Sequence, residues 1–100
     1  MPTPEDMRAR LGEAAGLLRA IAHEGRLVTL CHLVSGAKSV SELEELLGLK
    51  QAAVSQHLAR LRLEGLVESR RDGKAIRYSI RDPRAVRLLG LIRDLFCGVR

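Results

Sequence analysis

Two cysteines and three histidines are the residues in this chain of 100 with the chemistry of nucleophiles or metal ligands. Cys31 lies in LVTLCHL and Cys97 in DLFC, far apart along the chain. A cysteine attacks, or binds a metal, as its thiolate. Taken singly, a free cysteine more often packs as a small apolar residue. His23, His32 and His57 fall in separate segments, without the close spacing of metal ligands. His32 follows Cys31, but neighbours on a helix point about 100° apart. No carboxylate is placed to orient the imidazole, which argues against a thiol enzyme. His23 reads as a helix-start hydrogen-bonder and His57 as a structural residue beside an inward-facing stripe. These residues imply no cofactor, no metal and no catalytic site.

A second chemistry, the reading of DNA bases, is written into Val40 to Arg62. Ser41 as N-cap, with Glu44 three residues on, predicts a capping box, and Leu43, Leu46 and Leu47 supply an apolar stripe. Gly48 then ends the helix, being able to take a positive φ. From Gln51 a second helix places Val54, Leu58 and Leu61 inward, with Ala52, Ser55, Gln56 and Ala59 on the opposite side. Two helices joined by a tight glycine turn, over about 41–63, form the helix-turn-helix plan, whose second helix enters the major groove. Gln51, Ser55 and Gln56 are the predicted base readers, since glutamine pairs bidentately with adenine and serine bonds to several bases. An αα-hairpin with a solvated outer face is the alternative on this stretch alone.

The elements on either side must position that pair. Pro4 to about Ala22 reads as a helix with Met7, Leu11, Ala14, Ala15 and Leu18 along one side; Gly12 and Gly16 make it dependent on packing. A second helix starts at His23-Glu24-Gly25-Arg26-Leu27 and runs to about Val34, with Leu27, Cys31 and Val34 as its apolar stripe. Beyond Glu64-Gly65, Leu66 to Ser69 and Ala75 to Ile80 read as strands around Arg70-Arg71-Asp72-Gly73-Lys74, and Asp-Gly signals a hairpin. A hairpin after a recognition helix is a wing, here about 66–80. Lys50, Arg60, Arg70, Arg71 and Lys74 are the predicted contacts to the DNA backbone. Asp82-Pro83 caps and starts a last helix to about Phe96. It is apolar on more than one side, so it needs its own core and a partner.

The totals agree with this plan. One hundred residues suit one domain over 1–100. The hydrophobic fraction is 46% with one Tyr and one Phe, so the core must be mainly aliphatic. A net charge of +5 suits a polyanionic partner. No apolar run has the length of a membrane span, and MPTPEDMRAR lacks a secretion signal's apolar stretch, so a cytoplasmic protein is expected. In that compartment a permanent structural disulfide is not.

In order, His23-Glu-Gly-Arg26-Leu27, Ser41-Glu-Leu43, Gln51-Ala-Ala-Val54-Ser55-Gln56-His57-Leu58, Leu61-Arg62, Gly65-Leu66-Val67, Arg71-Asp-Gly73 and Tyr78 resemble the ArsR/SmtB family of bacterial winged-helix repressors. The likeness covers essentially the whole chain. It implies a fold that is mainly α with a small β-hairpin, a winged helix-turn-helix of four helices, two strands and a closing helix. It further implies a homodimer that joins through helices about 4–22 and 83–97, binds an imperfect palindrome of double-stranded DNA, and releases it when an inducer binds. Lys50 stands where a capping Ser or Thr is usual, and Ala52 where Ser is common, which removes a cap and one possible DNA contact.

Many members of that family sense metals. Their site in the third helix needs a cysteine-containing motif where this sequence has Ser39-Val40-Ser41-Glu42, and their other site needs histidine in the last helix, where Asp82 to Arg100 has none. Cys31 and Cys97 instead resemble the dithiol branch, the BigR/SqrR/YgaV-like repressors that respond to reactive sulfur species and oxidants. The resemblance implies a reduced form that holds the operator and a form bridged between Cys31 and Cys97 that releases it. A direct bridge needs Cα atoms within about 7 Å, and inserted sulfurs relax that limit. Arg93 and Arg100 near Cys97 favour its thiolate, while Asp94 and the helix C-terminus oppose it. A metal-responsive repressor, or one with no inducer and structural cysteines, is the alternative.

Overall fold

The computed structural model describes residues 1–98, and its elements are α1 (Pro4–Ile21), α2 (Glu24–Leu33), β1 (Lys38–Ser39), α3 (Val40–Leu47), α4 (Gln51–Leu63), β2 (Val67–Asp72), β3 (Ala75–Ile80) and α5 (Pro83–Cys97). The helices start and stop where local chemistry dictates. Thr3 caps α1 through a capping box with Asp6, a start signal one residue ahead of the expected Pro4. His23 caps α2, its Nδ1 accepting the Arg26 amide at 3.4 Å, as expected of a helix-start hydrogen-bonder. Gly48 closes α3 in the left-handed region at φ 66°, and Asp82 caps α5.

The cap of α3 differs from expectation. Ser39, not Ser41, accepts the amide of the third helical residue, and Glu42, not Glu44, reaches back to the Ser39 amide at 2.8 Å. The reason is a strand the sequence reading missed. Lys38 and Ser39 pair with Tyr78 and Arg77 of β3, so the chain leaves the sheet at Ser39 and turns directly into the helix. The sheet therefore has three strands in the order β1-β3-β2 rather than two. The hairpin is also tighter than expected. Asp72 pairs with Ala75, which leaves Gly73 and Lys74 as the turn, with Gly73 at φ 66°. A glycine first in a two-residue loop fits the type II′ geometry that matches strand twist.

Val54, Leu58 and Leu61 of α4 meet Leu30 and Leu33 of α2, Leu43 of α3, Leu66, Val67 and the Ala85/Leu89 pair of α5 in one aliphatic core. In α2 the core face is Thr29, Leu30 and Leu33; the expected stripe of Leu27, Cys31 and Val34 is only half-buried. Those residues pack against the edge of the core, and Leu27 and Cys31 also face space beside α5. The Thr29 hydroxyl donates to the Gly25 carbonyl at 2.7 Å, so no buried polar group is stranded there. At the break between α1 and α2, the Arg26 guanidinium donates to the Ala20 carbonyl at 2.7 Å and satisfies an open helix end. Only Ala20 and Ile21 of α1 are buried, so Met7, Leu11 and Leu18 lie exposed along its side.

Candidate nucleic-acid interface and thiol pocket

The core contacts of Val54, Leu58 and Leu61 fix the rotation of α4 about its axis and leave Gln51, Ala52, Ser55, Gln56, Ala59 and Arg60 exposed. The three expected base readers thus share the outward side of one helix. Lys50 is the N-cap of α4 and makes no side-chain cap, as its replacement of Ser or Thr implies. Arg60 is exposed but ion-paired with Glu64 at 3.1 Å. Of the wing residues, only Lys74 lies in the turn; Arg70 and Arg71 are on β2, opposite Arg77 and Ile76. Consecutive strand residues point to opposite faces, so Arg70 and Arg71 do not present one surface.

Sequence reasoning passed over Arg77. From β3 it donates to Glu42 at 2.9 Å and Asp72 at 3.1 Å, tying the wing to the first helix of the helix-turn-helix. Hydrogen bonds from Ser39 and the Arg77 charge hold the Glu42 carboxyl below its ordinary pKa. Glu42 three residues after Ser39 was the available signal, hidden by the competing Ser41/Glu44 pattern.

Behind α4, the His57 and His23 rings lie 5.5 Å apart between centroids. Gly25 makes this approach possible, because a β-carbon there would meet His57 Nε2 at 2.5 Å. Burial, then the charges of His23 and Arg26, push the His57 imidazole below its ordinary pKa.

Cys31 of α2 and Cys97, the last residue of α5, are free thiols that line the same pocket, of about 540 Å³. Leu27, Val28, Ile92 and Phe96 form its apolar walls, and His32 and Arg93 bring polar groups to it. Cys31 is half-buried and Cys97 exposed. Burial pushes the Cys31 thiol up; the Arg93 guanidinium draws it partly back, and the Cys97 thiol raises it again. Burial, then the charges of Lys38 and Arg93, push the His32 imidazole below its ordinary pKa. Arg93 was read from sequence for Cys97 alone; its effect on Cys31 follows from how α2 and α5 pack. Arg100, the other cation read for Cys97, lies outside the described residues.

A helix-turn-helix followed by a β-wing defines a winged-helix DNA-binding regulator, not an enzyme. The family described as bacterial regulatory protein, arsR family, matches residues 23–69. The chain is 42% identical over 96 residues to the biofilm growth-associated repressor of Xylella fastidiosa, covering 96% of this chain and 84% of that protein. It superposes on the crystal structure of the transcriptional repressor BigR from Xylella fastidiosa with a TM-score of 0.86 at 42% identity, over 96% of this chain and 95% of that one. A homodimeric winged helix-turn-helix DNA-binding domain from Mycobacterium bovis matches with a TM-score of 0.74 at 29% identity, over 93% and 86% of the chains. The chain belongs to the arsR family of transcriptional regulators, in its BigR-like branch. Among the described residues, no helix is long and apolar enough to cross a membrane.

Proposed function

We propose that the chain is a homodimeric repressor that holds a palindromic operator while Cys31 and Cys97 are reduced, and releases it when reactive sulfur species or other oxidants bridge them. The observation that carries this reading is that the two thiols, from helices distant in sequence, line one pocket. Bridging takes two protons and two electrons from the thiol pair. A hydrodisulfide ion, HSS⁻, accepts them and leaves as one molecule of hydrogen sulfide and one HS⁻. A longer sulfur donor leaves extra sulfur atoms in the bridge.

A bridge ties the end of α5 to α2, whose Leu30 and Leu33 pack in the same core as α4. In a dimer formed through α1 and α5, that tie alters how the two copies of α4 are spaced. Half-sites about one DNA turn apart, ~34 Å, require the spacing to be held. Gln51, Ser55 and Gln56 read bases, and Lys50, Arg60, Arg70, Arg71 and Lys74 contact the backbone. The Xylella fastidiosa relative is named a repressor, which favours repression as the direction of control.

The test measures affinity for an operator selected from random-sequence DNA. Reduced protein binds; polysulfide-treated protein binds about 5- to 150-fold more weakly, the span of ordinary allosteric coupling. Cys31→Ser keeps its affinity through the treatment. Equal affinity of all three overturns the sensing role and leaves DNA binding standing. A response of the Cys31→Ser, Cys97→Ser protein to zinc or copper points to a metal sensor instead.

A further inference from the structure

Arg77 stands apart from the other ion-paired arginines by what it joins. Arg60 bonds within its own helix, and Arg84 bonds Asp82 beside it and reaches Glu13 only at 3.5 Å. Arg77, on the middle strand of the sheet, bonds outward on both sides. Its Nη1 donates to Glu42 of α3 at 2.9 Å, and its Nε donates to Asp72, the last residue of β2, at 3.1 Å. Backbone pairing gives that corner little else. β1 has two residues, and its pair nearest the hairpin turn is Ser39 with Arg77. Beyond that pair, Arg71 to Lys74 are exposed. Arg70 lies directly opposite Arg77 across the hairpin, and like charges so placed repel. With Arg77 engaged by two carboxylates the pair is tolerated, and Arg70 stays exposed.

We propose that Arg77 is a positioning residue for operator binding: clamped between Glu42 and Asp72, it fixes the wing's angle to the helix-turn-helix so that Arg70 and Lys74 meet the DNA backbone while α4 lies in the groove. This rests on the reading of those two cations as backbone contacts and names what holds them in place. A hairpin free to swing must be ordered when DNA binds, and that ordering lowers affinity; a hairpin already held meets the phosphates without it. Ion pairs this exposed add little to folding. Their effect belongs instead to how the wing binds. Glu42 has a second role, because its carboxylate also accepts the Ser39 amide at 2.8 Å and so caps α3. Glutamine at position 42 keeps an oxygen for that amide, as a capping box allows, and removes the charge that faces Arg77.

The experiment measures binding of the reduced full chain to the selected operator by anisotropy across a salt series. Double-mutant cycles pair Lys74→Ala with Glu42→Gln and with Arg77→Met, and each cycle cancels the general effect of altering a charge near DNA. In the wild-type background Lys74→Ala should flatten the salt slope by about one unit. In either variant background it should flatten the slope by less than about half of that, and the affinity lost with Lys74 should shrink by about two- to fivefold. Melting temperatures of Glu42→Gln and Arg77→Met should stay within about 5 °C of wild type, which shows that the wing's contribution, not the fold, has changed. A Lys74→Ala effect of one size in all three backgrounds overturns the clamp and leaves the wing contact standing. If Arg77 itself gripped a phosphate, Glu42→Gln would free it and steepen the slope with the Lys74 effect intact, and that result also overturns the clamp. An unchanged slope for Lys74→Ala in wild type removes the wing contact, and the clamp's role falls with it.

Discussion

Arg60 and Lys74 show how differently two cations offered to DNA can stand. Arg60 is held by Glu64, and a phosphate must compete with that carboxylate; Lys74 sits free of any ion pair among the described residues, at the wing's turn. Lys74→Ala should therefore weaken all DNA sequences similarly and flatten the salt dependence by about one unit of slope, measured by anisotropy across a salt series. An unchanged slope removes the wing tip from the interface. Gln56→Ala should instead relax sequence preference, costing roughly 1–3 kcal/mol against the selected operator and little against random DNA. Cys31 makes a prediction of its own. Because burial outweighs Arg93 and lifts its thiol, alkylation of Cys31 in the Cys97→Ser protein should keep accelerating with pH beyond where a free cysteine levels off. A plateau at or below the free-cysteine range contradicts it.

At the scale of elements, the seam between α2 and α4 is where one missing β-carbon matters. Gly25→Ala gains up to about 1 kcal/mol of helix propensity but drives a carbon into His57. In wild type that gain should be cancelled or reversed. With His57→Ala the same change should stabilise, and a double-mutant cycle by denaturant unfolding measures the difference. The same histidine sets a pH dependence. Its native pKa lies below the ordinary value of 6.5, so the unfolded chain binds the proton more readily. Its contribution to stability is intact above the unfolded pKa and is lost as pH falls through the native one. The melting temperature should drop between about pH 7 and 5 more steeply in wild type than in His57→Gln; parallel curves refute the assignment.

At the scale of the molecule, two apolar faces are without partners among the described residues. Met7, Leu11 and Leu18 lie along α1, and Leu91 and Leu95 along α5, all at least half exposed. In the proposed dimer these faces bury against a second copy, which suits a weakly amphipathic first helix whose glycines leave it little stability of its own. Leu95→Glu should shift sedimentation from dimer to monomer at micromolar concentration. Operator affinity should fall with it, because a lone α4 reads one half-site. A dimer of undiminished stability in Leu95→Glu excludes this face of α5 from the interface.

How much of this was legible in the sequence divides by the range of the interactions. The turn at Gly48, the hairpin at Gly73, the start at Asp82-Pro83 and the inward triplet Val54, Leu58 and Leu61 follow from backbone allowances and helical period, which a few neighbouring residues settle. Hence the recognition helix and its exposed Gln51, Ser55 and Gln56 could be read directly from the order of residues. The choice of Ser39 over Ser41 as cap could not, because it depends on a strand pairing with Arg77 and Tyr78 nearly forty positions away. Nor could the face of α2 given to the core, or the place of His32 and Arg93 beside both thiols; that Cys31 and Cys97 share a space was implied by the family resemblance alone, not by periodicity. Periodicity says that a helix has an apolar side; only packing against the rest of the chain decides which neighbour that side meets and which thiols share a space.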